Sequence, residues 1–170
     1  MSFPGRWLCF AARVVSPSDV GPLRASLLEL GFDIDKPSST YSTQEGWRVL
    51  QCLSRLNAPH LEEAMAQKEL GRKLAGALRA QNFVKPMHLS LARGLPSPLR
   101  MLSLQKLAQG TPFAYVYSRE CAGLWKLSFE AGMLVPFSLG VWEVLGEWLG
   151  KKWVVSAGPM PSPVLFVQEA

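Results

Sequence analysis

Hydrophobic and polar positions divide the chain into segments whose periods predict strands and helices in alternation. Trp7-Leu8-Cys9-Phe10-Ala11-Ala12, continued by Val14-Val15, is apolar at odd and even positions alike, as a central strand covered on both faces would be. Ser16-Pro17-Ser18-Asp19 then supplies a capping serine, a first-turn proline and an acid. Val20, Leu23, Leu27 and Leu30 follow at helical spacing, and Gly31 provides a left-handed stop. Residues 32–44 hold Pro37 and a polar Ser/Thr run, which predicts an edge strand leading to a turn near Glu45-Gly46. Trp47 to Leu53 reads as a second strand. Pro59 opens a long helix with Glu62 and Glu63 in its first turns and Lys68, Arg72, Lys73 and Arg79 towards its end, the charge order that the helix dipole favours.

The second half has a similar grammar. Met87 to Ala92 is strand-like, and Ser97-Pro98 opens a helix with Met101, Leu104 and Leu107 that Gly110 ends. Phe113, Tyr115 and Tyr117 alternate with smaller residues, and after a turn through Gly123 so do Trp125, Leu127 and Phe129, which predicts a hairpin. Pro136 opens a last helix carrying Leu139, Trp142, Leu145 and Leu149. Two short strands, Trp153 to Ala157 and Val164 to Val167, flank a proline-rich turn.

The order strand, helix, strand, strand, helix thus occurs twice. Ser16 and Ser97, Gly31 and Gly110, Trp47 and Trp125, and Pro59 and Pro136 pair at offsets of 81, 79, 78 and 77 residues. Such a near-constant offset is what duplication leaves, although serine, proline and glycine also punctuate helix ends in unrelated segments. The resulting expectation is an α+β protein of two tandem βαββα(β) ferredoxin-like units, residues 1–84 and 85–170, forming one compact body.

Composition narrows the class. Apolar residues make up 48% of the 170 and charged residues 18%, so a packed core is expected and general disorder is excluded. No uninterrupted apolar run approaches the roughly 20 residues of a membrane span. Three cysteines without CxxC or Cys/His spacing predict neither a disulfide framework nor a zinc site, and a reduced, cytoplasmic chain follows. The acid-free first 18 residues have the composition of a weak mitochondrial presequence, but their apolar run is better explained as a core strand.

Charge relocates the question. The formal net charge is +5, yet eight basic residues and only one acid, Glu69, lie between Lys68 and Lys106. Lys68, Arg72 and Arg79 share one helix face. Together with Lys73, Lys85, Arg93 and Arg100 they form a candidate phosphate-contacting surface, with RNA or DNA as the partner. Phe113, Tyr115 and Tyr117 fit stacking platforms for unpaired bases, or, more commonly for such alternation, a core face. The tryptophan-rich last helix, with Trp142, Trp148 and nearby Trp153, carries enough apolar area to suggest a protein partner or a homo-oligomeric assembly subunit.

Catalytic signals are sparse. His88-Leu89-Ser90-Leu91 resembles one copy of the His-x-Thr/Ser motif of the two-histidine phosphoesterases. The equivalent place in the first half is Trp7-Leu8-Cys9, and His60 lies in helical context, so the second histidine is missing and no activity is implied. CRISPR repeat-associated RNA-processing proteins also pair ferredoxin-like units, but Gly158-Pro159-Met160-Pro161-Ser162-Pro163 lacks their glycine-rich loop. Gly31-Phe32-Asp33-Ile34-Asp35 resembles the entry to the second strand of ACT-type regulatory domains, which implies a tandem module binding an amino acid or similar small molecule. Ser18-Asp19-Val20-Gly21 matches their loop in part only. No phosphate-binding glycine motif or nucleophile elbow occurs, and Asp33 and Asp35 read as turn formers. No catalytic residue, metal or cofactor is assigned, and the leading expectation is a binding protein for nucleic acid.

Overall fold

Two segments expected as strands are helices in the computed structural model, which describes residues 2–16, 20–80, 92–109, 113–159 and 162–169. A short strand β1 (Ser2–Pro4) leads directly into helix α1 (Gly5–Val15), which buries Gly5, Leu8, Cys9 and Ala12 on one stripe. That i, i+3, i+4, i+7 spacing is helical. The other apolar positions of the segment meet neighbours that only the tertiary fold supplies. Gly5 sits so close to the 36–39 loop that its N–H donates to Ser39 O at 2.7 Å, and a Cβ there would lie 2.8 Å from the same oxygen. Helix α2 (Gly21–Glu29) forms as expected and ends at Gly31, whose φ is 78°. Of its expected cap, residues 17–19 lie outside the described residues.

Strand β2 (Thr40–Ser42) pairs antiparallel with β1, with Phe3 opposite Tyr41. Helix α3 (Thr43–Asn57) follows without a break and replaces the expected strand 47–53. Its start is a capping box. Glu45 N–H donates to Ser42 Oγ (3.2 Å), and Ser42 N–H donates to Glu45 Oε2 (2.7 Å), which satisfies two otherwise orphaned helix donors. Hydrogen bonding to the carboxylate from the Ser42 side chain, and then from the Ser42 backbone N–H, holds the Glu45 carboxyl below its ordinary pKa. A group lowered in this way stabilises the fold above its unfolded pKa of about 4.3, and that contribution is lost as pH falls through the folded value. Glu45→Gln is therefore expected to melt earlier than the parent at pH 7, with the gap closing by about pH 3. Thermal unfolding followed by circular dichroism at the two pH values checks this, and an equal gap at both would show that charge plays no part.

Helix α4 (Glu63–Ala80) is the long helix the sequence predicts, and α5 (Ser97–Ala108) begins at the expected Ser97-Pro98. The strand expected at 87–92 lies, apart from Ala92, outside the described residues, as do Lys85 and His88. Strands β3 (Tyr115–Cys121) and β4 (Leu124–Phe129) form the expected hairpin, turning at Gly123 with φ 77°; Tyr115 faces Phe129 and Tyr117 faces Leu127. Helix α6 (Val135–Trp148) and strands β5 (Trp153–Ala157) and β6 (Val164–Glu169) complete the chain. The four-stranded sheet is antiparallel throughout, in the order β3-β4-β6-β5.

The tandem ferredoxin-like expectation is therefore corrected. Trp47 lies on a helix and Trp125 on a strand, so the two halves are not copies, and the first half contributes helices where the second contributes the sheet. Helices α1 to α4 enclose one core cluster, in which Leu8, Leu27, Leu53 and Leu70 are sealed from solvent. Helix α6, α5 and the sheet enclose a second, around Met101, Leu127, Leu165 and Val167. Phe129, Val135 and Val141 touch both clusters. Helix α6 runs between them, which explains why it is apolar around most of its circumference. Its crossing with α4 is backbone to backbone. A Cβ on Gly71 would fall 2.1 Å from Phe137 O, and one on Gly140 would fall 2.0 Å from Lys68 O.

Candidate functional site: an apolar cavity between the two cores

At the seam between the two clusters lies a cavity of about 390 Å³, within the usual range for small-molecule sites. Five helices and two strands contribute to it, α3 through Leu50 and β1 through Phe3. Helix α1 contributes Trp7, Phe10 and Ala11, and α4 contributes Leu74, Ala75 and Leu78. Helix α5 closes one side with Leu104, Leu107 and Ala108, while α6 supplies Phe137, Val141, Trp142, Leu145 and Trp148. Tyr115 from β3 and the adjoining Phe113 complete that wall. Eight of the nineteen described lining residues are aromatic and none of them is charged, so the described wall offers flat apolar contact and few polar anchors.

The rings hold one another in fixed positions. Phe113 stacks on Phe137 at 5.9 Å between centroids, Trp7 meets Phe113 edge-on at 5.9 Å, and Trp142 meets Tyr115 edge-on at 5.1 Å. Tyr115 is buried, and burial pushes its phenol well above the ordinary value, so it stays protonated. Its hydroxyl points at Met101 O, 3.5 Å away. Helix α5 is held by polar ties: Trp125 Nε1 donates to Ser97 Oγ (2.8 Å), and Gln105 Nε2 donates to Tyr115 O (3.0 Å).

Of the basic residues singled out in the sequence, those described, all but Lys85, mostly meet partners within the chain. Lys68 and Arg72 each pair with Glu143 on α6 at 2.7 Å, and Arg72 reaches Glu147 at 3.3 Å. Lys73 donates to Asn57 Oδ1 at 2.8 Å. Arg93 Nε donates to Trp148 O at 2.7 Å, which ties the segment entering α5 to the end of α6. Arg100 is only 4% exposed and pairs with Glu169 on β6. Arg79 is exposed at the end of α4. The aromatic alternation on the hairpin is a core face: Tyr115, Trp125 and Leu127 are buried. The tryptophan-rich helix also keeps its apolar area within the chain, with Trp142 and Trp148 buried. Sequence reasoning missed the cavity because no local motif marks it.

No family model matches the sequence, and no curated protein sequence matches it either. Solved structures do match in fold. The Fe(II) unliganded H-NOX protein from K. algicida superimposes with a TM-score of 0.65 at 12% identity, over 99% of this chain and 97% of that one. An oxygen-binding H-NOX domain related to soluble guanylate cyclases, solved as its oxygen complex, gives 0.61 at 14% identity, over 97% and 92%. A structure described as modulating heme redox potential through protein-induced porphyrin distortion gives 0.63 at 14% identity, over 98% and 94%. The chain therefore has the fold of H-NOX domains, helix-rich with a small antiparallel sheet. This likeness overturns the expectations of a nucleic-acid-binding protein, of an ACT-like module and of an assembly subunit acting through the last helix, since the fold matched is neither theirs nor a ferredoxin-like pair.

The similar proteins' descriptions name heme, iron and oxygen, so the cavity was tested for heme. A heme site needs an axial ligand, usually His, Cys, Met or Tyr, and groups to meet the charge of the propionates. Among the described lining residues the only candidate ligand is Tyr115, which burial keeps protonated. Cys9 Sγ is turned away, donating to Ile34 O at 3.3 Å. Met101 and Cys52 are not part of the lining, and His60 is exposed. No arginine or lysine stands among the described lining residues, and no group of three metal-ligating side chains occurs among the described residues. The described lining does not fit heme.

Proposed function

We propose that this chain is a ligand-sensing domain of the H-NOX fold whose ligand is a small, largely apolar molecule held in the cavity between the two cores. The observation that carries the reading is the composition of the described cavity wall: residues from both halves of the chain, none of the described ones charged. The described wall holds no carboxylate, imidazole, thiol or amine, so its chemistry is binding rather than turnover. A ligand there touches α1, α4, α5, α6 and β3 together. It therefore favours whatever arrangement of the two cores fits it best, which is how occupancy becomes a signal. No helix among the described residues is long and apolar enough to cross a membrane. The three cysteines are free, which suits a reducing compartment such as the cytoplasm.

Binding of the uncharged dye N-phenyl-1-naphthylamine tests the reading. The dye is expected to bind once per chain with a rise and blue shift of its emission, and Ala108→Phe, which fills the cavity from α5, is expected to weaken it about tenfold or more. Dye binding unaffected by Ala108→Phe and by Ala75→Phe would overturn the site. Hemin is the second arm. A Soret band that survives gel filtration and is lost in His88→Ala would overturn the metal-free ligand in favour of heme. Hemin washing off the protein is the expected result.

A further inference from the structure

Two buried tryptophans in the cavity wall have indole N–H groups that meet no acceptor among the described residues. Trp142 is 4% exposed and Trp148 is 3% exposed, and both line the cavity. The other tryptophans of the second core are satisfied: Trp125 Nε1 donates to Ser97 Oγ at 2.8 Å and Trp153 Nε1 donates to Glu169 Oε1 at 3.2 Å. Among the described residues no side-chain nitrogen or oxygen that is sealed from solvent lacks a partner. The indole nitrogens of Trp142 and Trp148 are therefore not sealed, and both residues line the cavity. An indole N–H can only donate, and a ligand that covers it without offering an acceptor leaves it unmet at a cost in affinity.

We infer that the ligand is a neutral carbonyl compound, a ketone, ester or aldehyde on an apolar body, whose oxygen accepts from the Trp142 and Trp148 side of the cavity. This rests on the reading of the cavity as the ligand site and names the chemistry of its occupant. A carboxylate is disfavoured because no cation stands among the described lining residues to replace its hydration. A plain hydrocarbon leaves both donors unmet. The neutral carbonyl is the group that two uncharged donors recognise without a counter-ion.

Displacement of bound N-phenyl-1-naphthylamine by decane, 2-decanone and decanoate separates the cases, since the three differ at one end only. The ketone is expected to bind about three- to tenfold more tightly than the alkane, the span of one net hydrogen bond, and more tightly than the carboxylate. Trp142→Phe and Trp148→Phe keep a ring in the wall and remove the donor. One or both should erase the ketone's advantage while leaving decane affinity intact, which also shows that the variant has folded. Equal affinity for ketone and alkane in the parent, a preference that survives both lining variants, or tightest binding of decanoate would overturn the inference while leaving an apolar site in place. Failure of every probe to bind would instead sink the cavity reading on which it rests.

Discussion

Gly140→Ala is expected to lower the melting temperature by about 5–10 °C, although alanine is the best helix former and glycine the poorest of the ordinary residues. In a free helix interior the exchange stabilises by up to about 1 kcal/mol. Here the new Cβ would stand 2.0 Å from Lys68 O and 2.9 Å from Arg72 N, both backbone atoms of α4. Backbone cannot rotate away as a side chain can, so the helices must separate. Overpacking of this kind costs about 1–3 kcal/mol and more where nothing yields, and at this chain length each kcal/mol moves the midpoint by about 2–4 °C. Gly71→Ala should behave alike, because its Cβ would meet Phe137 O at 2.1 Å. The double variant should cost less than the sum, since one separation relieves both clashes. Gly76 provides the control on the same helix: nothing lies within 4 Å of its Cβ position, so Gly76→Ala should stabilise. Thermal unfolding of the four variants checks the set. A neutral Gly140→Ala would mean that α4 and α6 do not cross at this distance.

The same crossing shows why parts of the fold were legible and others were not. Helices with local punctuation were readable: Gly31 ends α2, Ser97-Pro98 opens α5, and Pro136 opens α6. The hairpin was readable because Tyr115, Tyr117, Trp125 and Leu127 alternate with the smaller or polar Val116, Ser118, Lys126 and Ser128 on paired strands. Helix α1 was not, because an apolar run buried on more than one side has no distinct period. Helix α3 had a signal that was passed over. Ser42-Thr43-Gln44-Glu45 is the capping-box spacing, and Trp47, Leu50 and Ser54 are buried behind it at helical intervals. Read as a polar turn, those four residues turned a helix into a strand and created an apparent duplication.

The site was hidden for a different reason. Its wall is assembled from Phe3 to Trp148, and each contributing segment looks locally like ordinary core. The basic stretch misled in the opposite way, since charge balance along a sequence ignores partners far off in the chain. Lys68 and Arg72 are met by Glu143 and Glu147, more than seventy residues away. What looked like a solvent-facing cationic stripe holds α4 against α6 beside the glycine crossing.

Arg100 carries that lesson furthest, and Arg100→Met is expected to cost about 3 kcal/mol, the lower end for breaking a buried ion pair. The side chain is 4% exposed and its partner Glu169 is only partly covered, which argues for the lower end. Arg100 Nε donates to Ala92 O (3.1 Å), one terminal nitrogen donates to Leu95 O (2.8 Å), and the other pairs with Glu169. Methionine matches the length but strands both carbonyls, and it leaves the Glu169 carboxylate with Trp153 Nε1 as its remaining donor. Arg100→Lys should rescue little, because three acceptors spread around a planar fork do not suit a single ammonium. Arg100→Met with Glu169→Gln should recover part of the loss, since no uncompensated charge then remains. Unfolding in urea gives the energies, and dye affinity gives the consequence. Leu104, Leu107 and Ala108 follow Arg100 on α5 and form a cavity wall, so affinity should fall with Arg100→Met and return in part with the double variant. An Arg100→Met protein as stable as its parent would show that the pair is not formed in solution, and α5 would then need another anchor to close the cavity.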